Sequence, residues 1–232
     1  VDAKQLRSAG ITLIHLPALW ISKVLSSTLG IDETRWILPY AAAVHVGITC
    51  LFVVSTVHLG RAVASFVGED EARSRNVGWF AGIVALASPT LLQFSAIPMA
   101  DIGAAAALAY GLKRAFLSRT TARNGAEAGL GFGLAILAAF KTIPVVLVAT
   151  ALAFVVRLQA PSHGLQGEPV PSFKERLRAT MQFAGMGTLV LVALLLFQCA
   201  FDLAAYGQFG IGLQNYVVVN TLPQIAAWLY KA

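Results

Sequence analysis

Charged residues are scarce in this chain. Asp, Glu, Lys and Arg together make up 12% of its 232 residues, whereas they make up about a quarter of a typical soluble domain. Hydrophobic residues account for 57%, and the mean hydropathy is +0.73. So little charge cannot cover the surface of an ordinary soluble domain of this length. The composition instead predicts an all-α, polytopic integral membrane protein.

Cysteine and the common catalytic motifs are rare or missing. Cys50 and Cys199 each lie in an apolar run and no C-x-x-C pair is present, so redox and zinc chemistry lack support. The chain contains no Walker, G-x-S-x-G or H-E-x-x-H motif. Its formal net charge of +6 comes from short clusters between apolar runs, without a basic face that carries aromatics. We therefore expect no nucleic-acid partner.

Apolar stretches divide the chain into predicted membrane-spanning helices. We predict about six spans, at 37–59, 77–95, 101–117, 127–141, 143–157 and 179–201. Residues 1–36 should form an external loop with a juxtamembrane helix, and residues 202–232 an external loop with a partial or re-entrant apolar segment. The chain opens at Val1 without an initiator Met or a signal sequence, which suggests a fragment or processed product of a longer membrane protein.

Ile11 to Leu29 has the pattern of an amphipathic helix. On a helical wheel the polar side carries His15, Ser22, Lys23 and Ser26. The opposite side carries Leu13, Pro17, Trp20, Ile21, Val24 and Leu25. This pattern is typical of a helix that lies in the membrane interface. The alternative is an ordinary span whose polar residues pack against neighbouring helices.

Clusters of Lys and Arg predict the orientation of the spans. They fall in loops 60–76, 113–126 and 157–178. Short loops rich in Lys and Arg lie on the cytoplasmic side of membrane proteins. The opposite, extracytoplasmic side then carries the amphipathic helix and the isolated charged residues Asp101, Lys141 and Asp202.

This orientation requires residues 127–157 to cross the membrane twice. Two short helices would meet near Lys141, each about 21 Å long, against a hydrocarbon core of about 30 Å. The alternative is one long, tilted helix with Lys141 in the middle of the membrane. We favour the two short helices.

Three glycines, Gly125, Gly129 and Gly133, recur at every fourth position. Small residues on one ridge of a helix let a neighbouring helix approach closely. The run around Gly131 does not complete a dinucleotide-binding fingerprint. The spacing therefore predicts helix packing rather than nucleotide binding.

Asp101 and Lys141 are the residues with the strongest claim to a chemical role. An acid at the start of an apolar span is costly and usually serves a substrate, an ion or a proton. A lysine at an apolar surface suits a lipid-linked phosphate, and a nearby carboxylate suits a general base, or a ligand for a metal or an acceptor hydroxyl. The structural alternatives are helix capping for Asp101 and a snorkelling or ion-paired role for Lys141.

Four stretches, taken in order, resemble one family of membrane enzymes. They are Ile14–Trp20 with His15 and Pro17, Arg35 with the span that ends Leu59-Gly60-Arg61, Ala87–Leu92 followed by Asp101, and Gly131–Thr142 with Lys141 near its end. Their order and spacing are similar to those of the C-type polyprenyl-phosphate-sugar glycosyltransferases. The relatives in question are the protein O-mannosyltransferases and the bacterial lipid A aminoarabinose transferases. The resemblance covers about residues 11–157.

The resemblance implies an inverting glycosyltransferase of the bacterial inner membrane or the endoplasmic reticulum, with its site on the extracytoplasmic face. Such an enzyme moves a sugar from a polyprenyl-phosphate donor to a protein, lipid or glycan acceptor. Asp101 is implied as a catalytic carboxylate and Lys141 as a lipid-phosphate contact. His15 is implied as a second phosphate contact, and Asp2 as a remnant of the acidic pair in the family's first external loop.

The chain departs from the family at two positions. Ala18 stands where the family has a second Pro, and Ala3 follows Asp2 where the family has a second acid. A chain without that loop acid is expected to be inactive alone. No cofactor is implied with certainty, and the need for a divalent metal is left open.

Two alternatives from other classes are kept. The chain could be a segment of a membrane transporter, in which Asp101 and Lys141 form an intramembrane charge pair. It could also be a non-catalytic relative that binds lipid phosphate without transferring sugar.

Overall fold

The computed structural model describes residues 9–30, 32–88, 100–116, 121–159 and 172–216. Within these ranges the chain is helical and contains no strand, which confirms the predicted all-α class. The helices are α1 (Ala9–Leu29), α2 (Glu33–Phe66), α3 (Glu71–Leu86), α4 (Ala100–Ala115), α5 (Ala122–Ala138), α6 (Ile143–Gln159), α7 (Phe173–Tyr206) and α8 (Ile211–Asn215). A 3-10 turn, Phe140–Thr142, separates α5 from α6.

Helices α2 and α3 form an antiparallel hairpin. The Asp70 side chain accepts a hydrogen bond from the Arg73 N–H and so caps the start of α3. The Arg61 Nη2 lies 2.9 Å from the Glu71 Oε1, which ties the end of α2 to the start of α3. Because the loop between the helices is short, α3 packs against the second half of α2, with Gly60 close to Gly78.

Helix α4 runs parallel to α2, and α5 runs antiparallel to α4. Phe66 lies at the end of α2 and Phe116 directly after α4, and the centres of their rings are 5.7 Å apart. Arg114 and Glu127 pair at this end, with Nε and Oε2 2.5 Å apart. The opposite ends of α4 and α5 also meet, since Asp101 lies beside the turn that follows α5.

Helix α6 returns to the end of the bundle at which α5 begins. The Arg157 Nε donates a hydrogen bond to the Ala115 carbonyl oxygen at 2.8 Å. The Arg157 guanidinium also lies 4.6 Å from the centre of the Phe183 ring, near the start of α7. The chain therefore reverses at the Phe140–Thr142 turn and forms two short helices. A single helix through Lys141 is not formed.

The bundle has two ends that differ in their residues. At the basic end, α2, α4 and α6 finish and α3, α5 and α7 begin, and the described parts of the three loops rich in Lys and Arg lie there. At the acid–lysine end are the start of α4, the Phe140–Thr142 turn, the last turns of α7, and α8. Asp101, Lys141 and Asp202 all lie at the acid–lysine end.

The glycine ridge of α5 brings two backbones into direct contact. A Cβ built on Gly125 would lie 2.1 Å from the Phe183 carbonyl oxygen, and one on Gly129 would lie 2.1 Å from the Gly187 carbonyl oxygen. Gly133 faces the same helix, α7. No side chain fits at such separations. The prediction that these glycines serve helix packing is confirmed.

Two described helices, α2 over Ala42–Phe66 and α7, are long and apolar enough to cross a membrane. Only 6% of the apolar window of α2 and 11% of that of α7 is buried, unlike the core helix of a soluble protein. The shorter helices α3 to α6 have 16 or 17 residues, or about 24–26 Å. The two long helices give limited support for a membrane location. The shorter ones would need a thinned bilayer, or cover from their neighbours, to cross it.

The last predicted span ends at residue 201, before the end of the helix that contains it. Helix α7 continues to Tyr206, so Asp202 lies inside the helix and not in a loop. The chain turns only at Gly207 and Gly210, which have φ angles of 73° and 70°. This left-handed conformation is accessible to glycine and ends the helix. Asp202, whose side chain is hydrogen-bonded, does not end the helix.

Helix α1 is continuous from Ala9 to Leu29, with Pro17 inside it. Ser22, on the predicted polar side, is buried, whereas Trp20 and Val24, on the predicted apolar side, are exposed. This arrangement suits an apolar face turned outward, and the interfacial position of α1 stays a prediction.

Candidate functional site

Asp101 and Lys141, the two predicted site residues whose side chains are described, form an ion pair at the acid–lysine end. The Lys141 Nζ lies 2.6 Å from the Asp101 Oδ1. The two residues belong to different elements, α4 and the turn after α5. Their contact therefore depends on the antiparallel packing of α4 and α5.

Asp101 lies in the first turn of α4. Asp101 follows Ala100 inside the helix, so it is not the residue that caps it. The unpaired backbone N–H groups at a helix start still favour a negative charge there, which supports a structural role for this acid. That interpretation does not explain why the carboxylate points to a lysine from another element. A structural role at the helix start and a chemical role are compatible.

The local sequence projects Lys141 from a tight turn. Ala139 is extended, with φ −152° and ψ 114°, and ends α5. The Thr142 Oγ1 donates a hydrogen bond to the Ala139 carbonyl oxygen at 2.8 Å and closes the turn. Pro144 follows in the first turn of α6, where its missing N–H costs no helical hydrogen bond. Lys141 is thus held between two helix ends.

The ion pair is accessible from outside the bundle. The Lys141 side chain is 64% exposed and the Asp101 side chain 30% exposed. Exposed ion pairs contribute only about 0–1 kcal/mol to the free energy of unfolding. A ligand could therefore replace either partner without breaking the fold.

The structure does not describe the side chains of the other two predicted site residues, Asp2 and His15. Asp2 lies outside the described residues. His15 lies in α1, but its side chain is outside the described part. Their roles stay predictions.

Asp202 is a further acid at the same end, and sequence reasoning did not assign it to the site. Its side chain is 0% exposed. The Gln198 Nε2 donates to the Asp202 Oδ1 at 2.7 Å, and the Gly212 N–H donates to the Oδ2 at 2.9 Å. An acid preceded four residues earlier by Gln, in the apolar second half of α7, was the available signal, because residues at this spacing share a helix face.

Phe140 connects this buried acid to the turn that carries Lys141. A Cβ built on Gly212 would lie 3.1 Å both from the Asp202 Oδ2 and from the Phe140 Cε2. The Phe140 and Tyr216 rings lie 6.2 Å apart. Helix α8 therefore packs between Asp202 and Phe140, one residue before Lys141.

The charged residues of the basic end have a different arrangement. Glu127 accepts hydrogen bonds from the Arg123 Nε at 2.9 Å and the Tyr110 hydroxyl at 3.3 Å, and pairs with Arg114. These contacts join the end of α4 to the start of α5. They stabilise the connection between two helices, and we assign no chemistry to them.

A small apolar cavity of about 60 Å³ lies between α5, α6 and α7. Phe132, Phe154 and Leu191 are among its lining residues, and none of the lining side chains is ionisable. It offers no group for acid–base chemistry, so the acid–lysine end is the better candidate site.

Among the described side chains, no three His, Cys, Asp or Glu residues come together as a metal site. Whether the site needs a divalent metal therefore stays open. Comparison of the chain with protein-family models, with curated proteins and with solved structures finds no match. The functional interpretation therefore depends on the acid–lysine end and on the residues that carry the sequence resemblance.

Proposed function

We propose that this chain is a membrane glycosyltransferase that moves a sugar from a polyprenyl-phosphate donor to an acceptor on the extracytoplasmic face. The acceptor is a protein, a lipid or a glycan, and the membrane is the bacterial inner membrane or that of the endoplasmic reticulum. The observation that supports this most is the exposed Lys141–Asp101 pair at the end of the bundle opposite the basic loops. The resemblance of the sequence to C-type transferases supplies the reaction class.

The proposal includes the orientation and the number of spans. The basic end lies in the cytoplasm, because Lys and Arg are retained on that side during insertion. Six helices, α2 to α7, cross the membrane, with α1 in the extracytoplasmic interface. Four of them are shorter than a hydrocarbon core of about 30 Å, so the bilayer is thinner around α3 to α6.

Lys141 binds the phosphate of the donor. An ammonium group held at the end of the bundle lies at the level of lipid head groups, where a lipid-linked phosphate is found. Without a donor, Lys141 pairs with Asp101 at 2.6 Å. The arriving phosphate takes over the ammonium group, so the Asp101 carboxylate becomes free to accept a hydrogen bond from the acceptor hydroxyl. His15 is a second phosphate contact in this proposal.

Asp101 then acts as the general base. The acceptor oxygen attacks the anomeric carbon, its proton passes to the Asp101 carboxylate, and the bond between that carbon and the phosphate oxygen breaks. The electron pair of that bond leaves with the phosphate, whose negative charge Lys141 stabilises. Attack opposite the leaving group inverts the anomeric configuration. Asp2 is the proposed second acid of the site.

The test is transfer of labelled sugar from a polyprenyl-phosphate donor to acceptors in membrane vesicles that contain the chain. Asp101→Asn should abolish transfer and leave the helical content and thermal stability unchanged, because the pair is exposed and the amide retains the shape of the carboxyl group. The matched control is Glu71→Gln, which removes an exposed ion-paired acid at the basic end and should leave transfer intact. Turnover by Asp101→Asn at the normal rate would exclude Asp101 as the base.

The same exposed lysine supports a second function, binding of lipid phosphate without transfer. Direct binding of a polyprenyl phosphate separates the two functions. If the chain binds the lipid through Lys141 but transfers no sugar from any donor, the non-catalytic function is the correct one.

A further inference from the structure

The carboxylate of Asp202 is a buried charged group that the proposed reaction does not use. It is fully buried, and removal of a carboxylate from water costs several kcal/mol unless its partners compensate. Both of its oxygens have donors, namely the Gln198 side-chain amide and the Gly212 backbone N–H. Because both oxygens are hydrogen-bonded, the Asp202 carboxylate fixes the positions of the two groups that donate to it.

What Asp202 holds is the fold-back of the chain after α7. Gly207 and Gly210, both in the left-handed conformation, reverse the chain direction and bring α8 back towards the Asp202 carboxylate. The Gly212 N–H belongs to the first turn of α8, where backbone N–H groups lack partners within the helix. Asp202 supplies that partner and pulls the Gly212 backbone against α7.

The same glycine carries the contact on to the turn that bears Lys141. The absence of a side chain at Gly212 lets the Phe140 ring approach its backbone, since a Cβ there would lie 3.1 Å from the Phe140 Cε2. Phe140 is half-buried and is also in contact with Tyr216. A shift of α8 therefore moves Phe140, and with it the neighbouring Lys141.

We infer that Asp202 is a positioning residue for Lys141, because it holds Gly212 against Phe140 and so fixes the Phe140–Thr142 turn opposite Asp101. The purpose of that position, binding the donor phosphate, rests on the proposed function. The position itself does not, and it can be measured separately. Asp202 touches no substrate in this arrangement, so it is not a catalytic residue.

The first experiment measures position and needs no activity. Asp101→Cys and Lys141→Cys are combined in a chain whose Cys50 and Cys199 are replaced by Ala, and the pair is joined by a short bifunctional thiol reagent. Asp202→Leu, which removes both hydrogen bonds, should lower the yield of cross-linked chain several-fold. The control pair, Arg61→Cys with Glu71→Cys at the basic end, should cross-link equally with or without the Asp202 change.

A second variant avoids the loss of a buried polar group. Gly212→Ala leaves Asp202 intact but places a methyl group 3.1 Å from both the carboxylate and the Phe140 ring. These neighbours must shift by a few tenths of an ångström, so cross-linking should fall, although by less than in Asp202→Leu. Gly185→Ala is its control, because a Cβ there meets nothing within 4 Å. Normal cross-linking in both Asp202→Leu and Gly212→Ala, with the fold retained, would overturn the inference.

The second experiment measures the consequence for the ligand. Asp202→Leu should weaken binding of a short-chain polyprenyl phosphate by about tenfold, which is the effect of about 1.4 kcal/mol, and raise the donor KM with little change in kcat. Asp202→Asn should restore most of the affinity, because its amide oxygen still accepts from Gly212 and a rotated Gln198 amide can pair with its nitrogen. Thr180→Val removes another buried polar group of α7, at the basic end, and should leave the affinity unchanged.

The outcomes separate the two ideas. Reduced cross-linking in Asp202→Leu, together with normal affinity for the lipid phosphate, would overturn the role of Asp202 in ligand binding. Reduced cross-linking in a chain whose unmodified form binds no polyprenyl phosphate would support the positioning of the turn and overturn the proposed function. Equal loss of affinity in Asp202→Leu and Thr180→Val would indicate general destabilisation and overturn the inference.

Discussion

The two ends of the bundle use charge in different ways. The basic end has many ionisable side chains, and its ion pairs join residues one turn apart or at the ends of neighbouring helices, as in Arg73–Glu69 and Arg61–Glu71. The acid–lysine end has few. Its pair, Lys141–Asp101, joins two elements distant in sequence, and Asp202, an acid at the same end, is completely buried. Lys141, Asp101 and Asp202 therefore each have a particular partner at this end.

The difference has an energetic reason. The exposed charged groups at the basic end are solvated by water whether or not they are paired, so each ion pair contributes little to stability. Several of these pairs can be lost while the helices stay packed. A buried carboxylate such as Asp202 has no water to replace a lost donor, so loss of a partner leaves an uncompensated charge. The acid–lysine end should therefore be the more sensitive of the two in function, although it has fewer charges.

The largest effect should come from a change that breaks both ends at once. Gly129→Leu places a side chain where a Cβ alone would lie 2.1 Å from the Gly187 carbonyl oxygen, so α5 and α7 must separate. Because α5 connects the two ends, the variant should lose its cooperative thermal unfolding transition. It should also lose the ion pairs at the two ends of α5, Arg114–Glu127 and Lys141–Asp101. Gly185→Leu, at a site with nothing within 4 Å, is the control. Near-normal melting of Gly129→Leu would show that the helices do not pack as described.

Reversal of one charge at the acid–lysine end should have the next largest effect, and on function rather than fold. Lys141→Asp should abolish binding of a polyprenyl phosphate, because two carboxylates then face the phosphate. The double variant Asp101→Lys with Lys141→Asp restores an ion pair and should melt normally, yet transfer no sugar, since the base and the cation have exchanged places. Isothermal titration calorimetry measures binding of the polyprenyl phosphate, and the transfer assay measures sugar transfer. Transfer by the double variant would contradict the assigned roles.

A change to the best-connected acid of the basic end should be smaller and purely structural. Glu127→Gln weakens contacts with Arg114, Arg123 and Tyr110, and hydrogen bonds to charged groups contribute about 1.5–3 kcal/mol to stability. The melting temperature should fall by several degrees while the affinity for lipid phosphate is unchanged. A loss of affinity at normal stability would mean that the two ends are coupled.

The smallest effect should come from the exposed hairpin pair. Glu71→Gln removes the partner of Arg61, and both side chains are well exposed, so the free energy of unfolding should change by less than about 1 kcal/mol. Chemical denaturation in detergent, with and without added salt, measures it. A larger loss, suppressed by salt, would show that charge at the basic end is structurally important after all.

Much of the helical order could be predicted from the sequence. The apolar runs and the glycine spacing predict the helices and the contact face of α5, because both depend on residues that are near in sequence. The break at Lys141 follows from the orientation of the Lys and Arg loops. The end of α7 could not be predicted in this way. Asp202 resembles the start of a polar loop until its donors, Gln198 and Gly212, are known.

Hydropathy and loop charge are sums over neighbouring residues. The sequence is therefore enough to predict an all-α chain with basic loops and a few isolated acids and lysines. The contact of Lys141 with Asp101, and that of Asp202 with Gly212 beside Phe140, are seen in the folded molecule alone. The reason is physical. The first contact depends on where α4 and α5 cross and the second on how the chain folds back after α7, and neither packing nor chain reversal can be read from local composition.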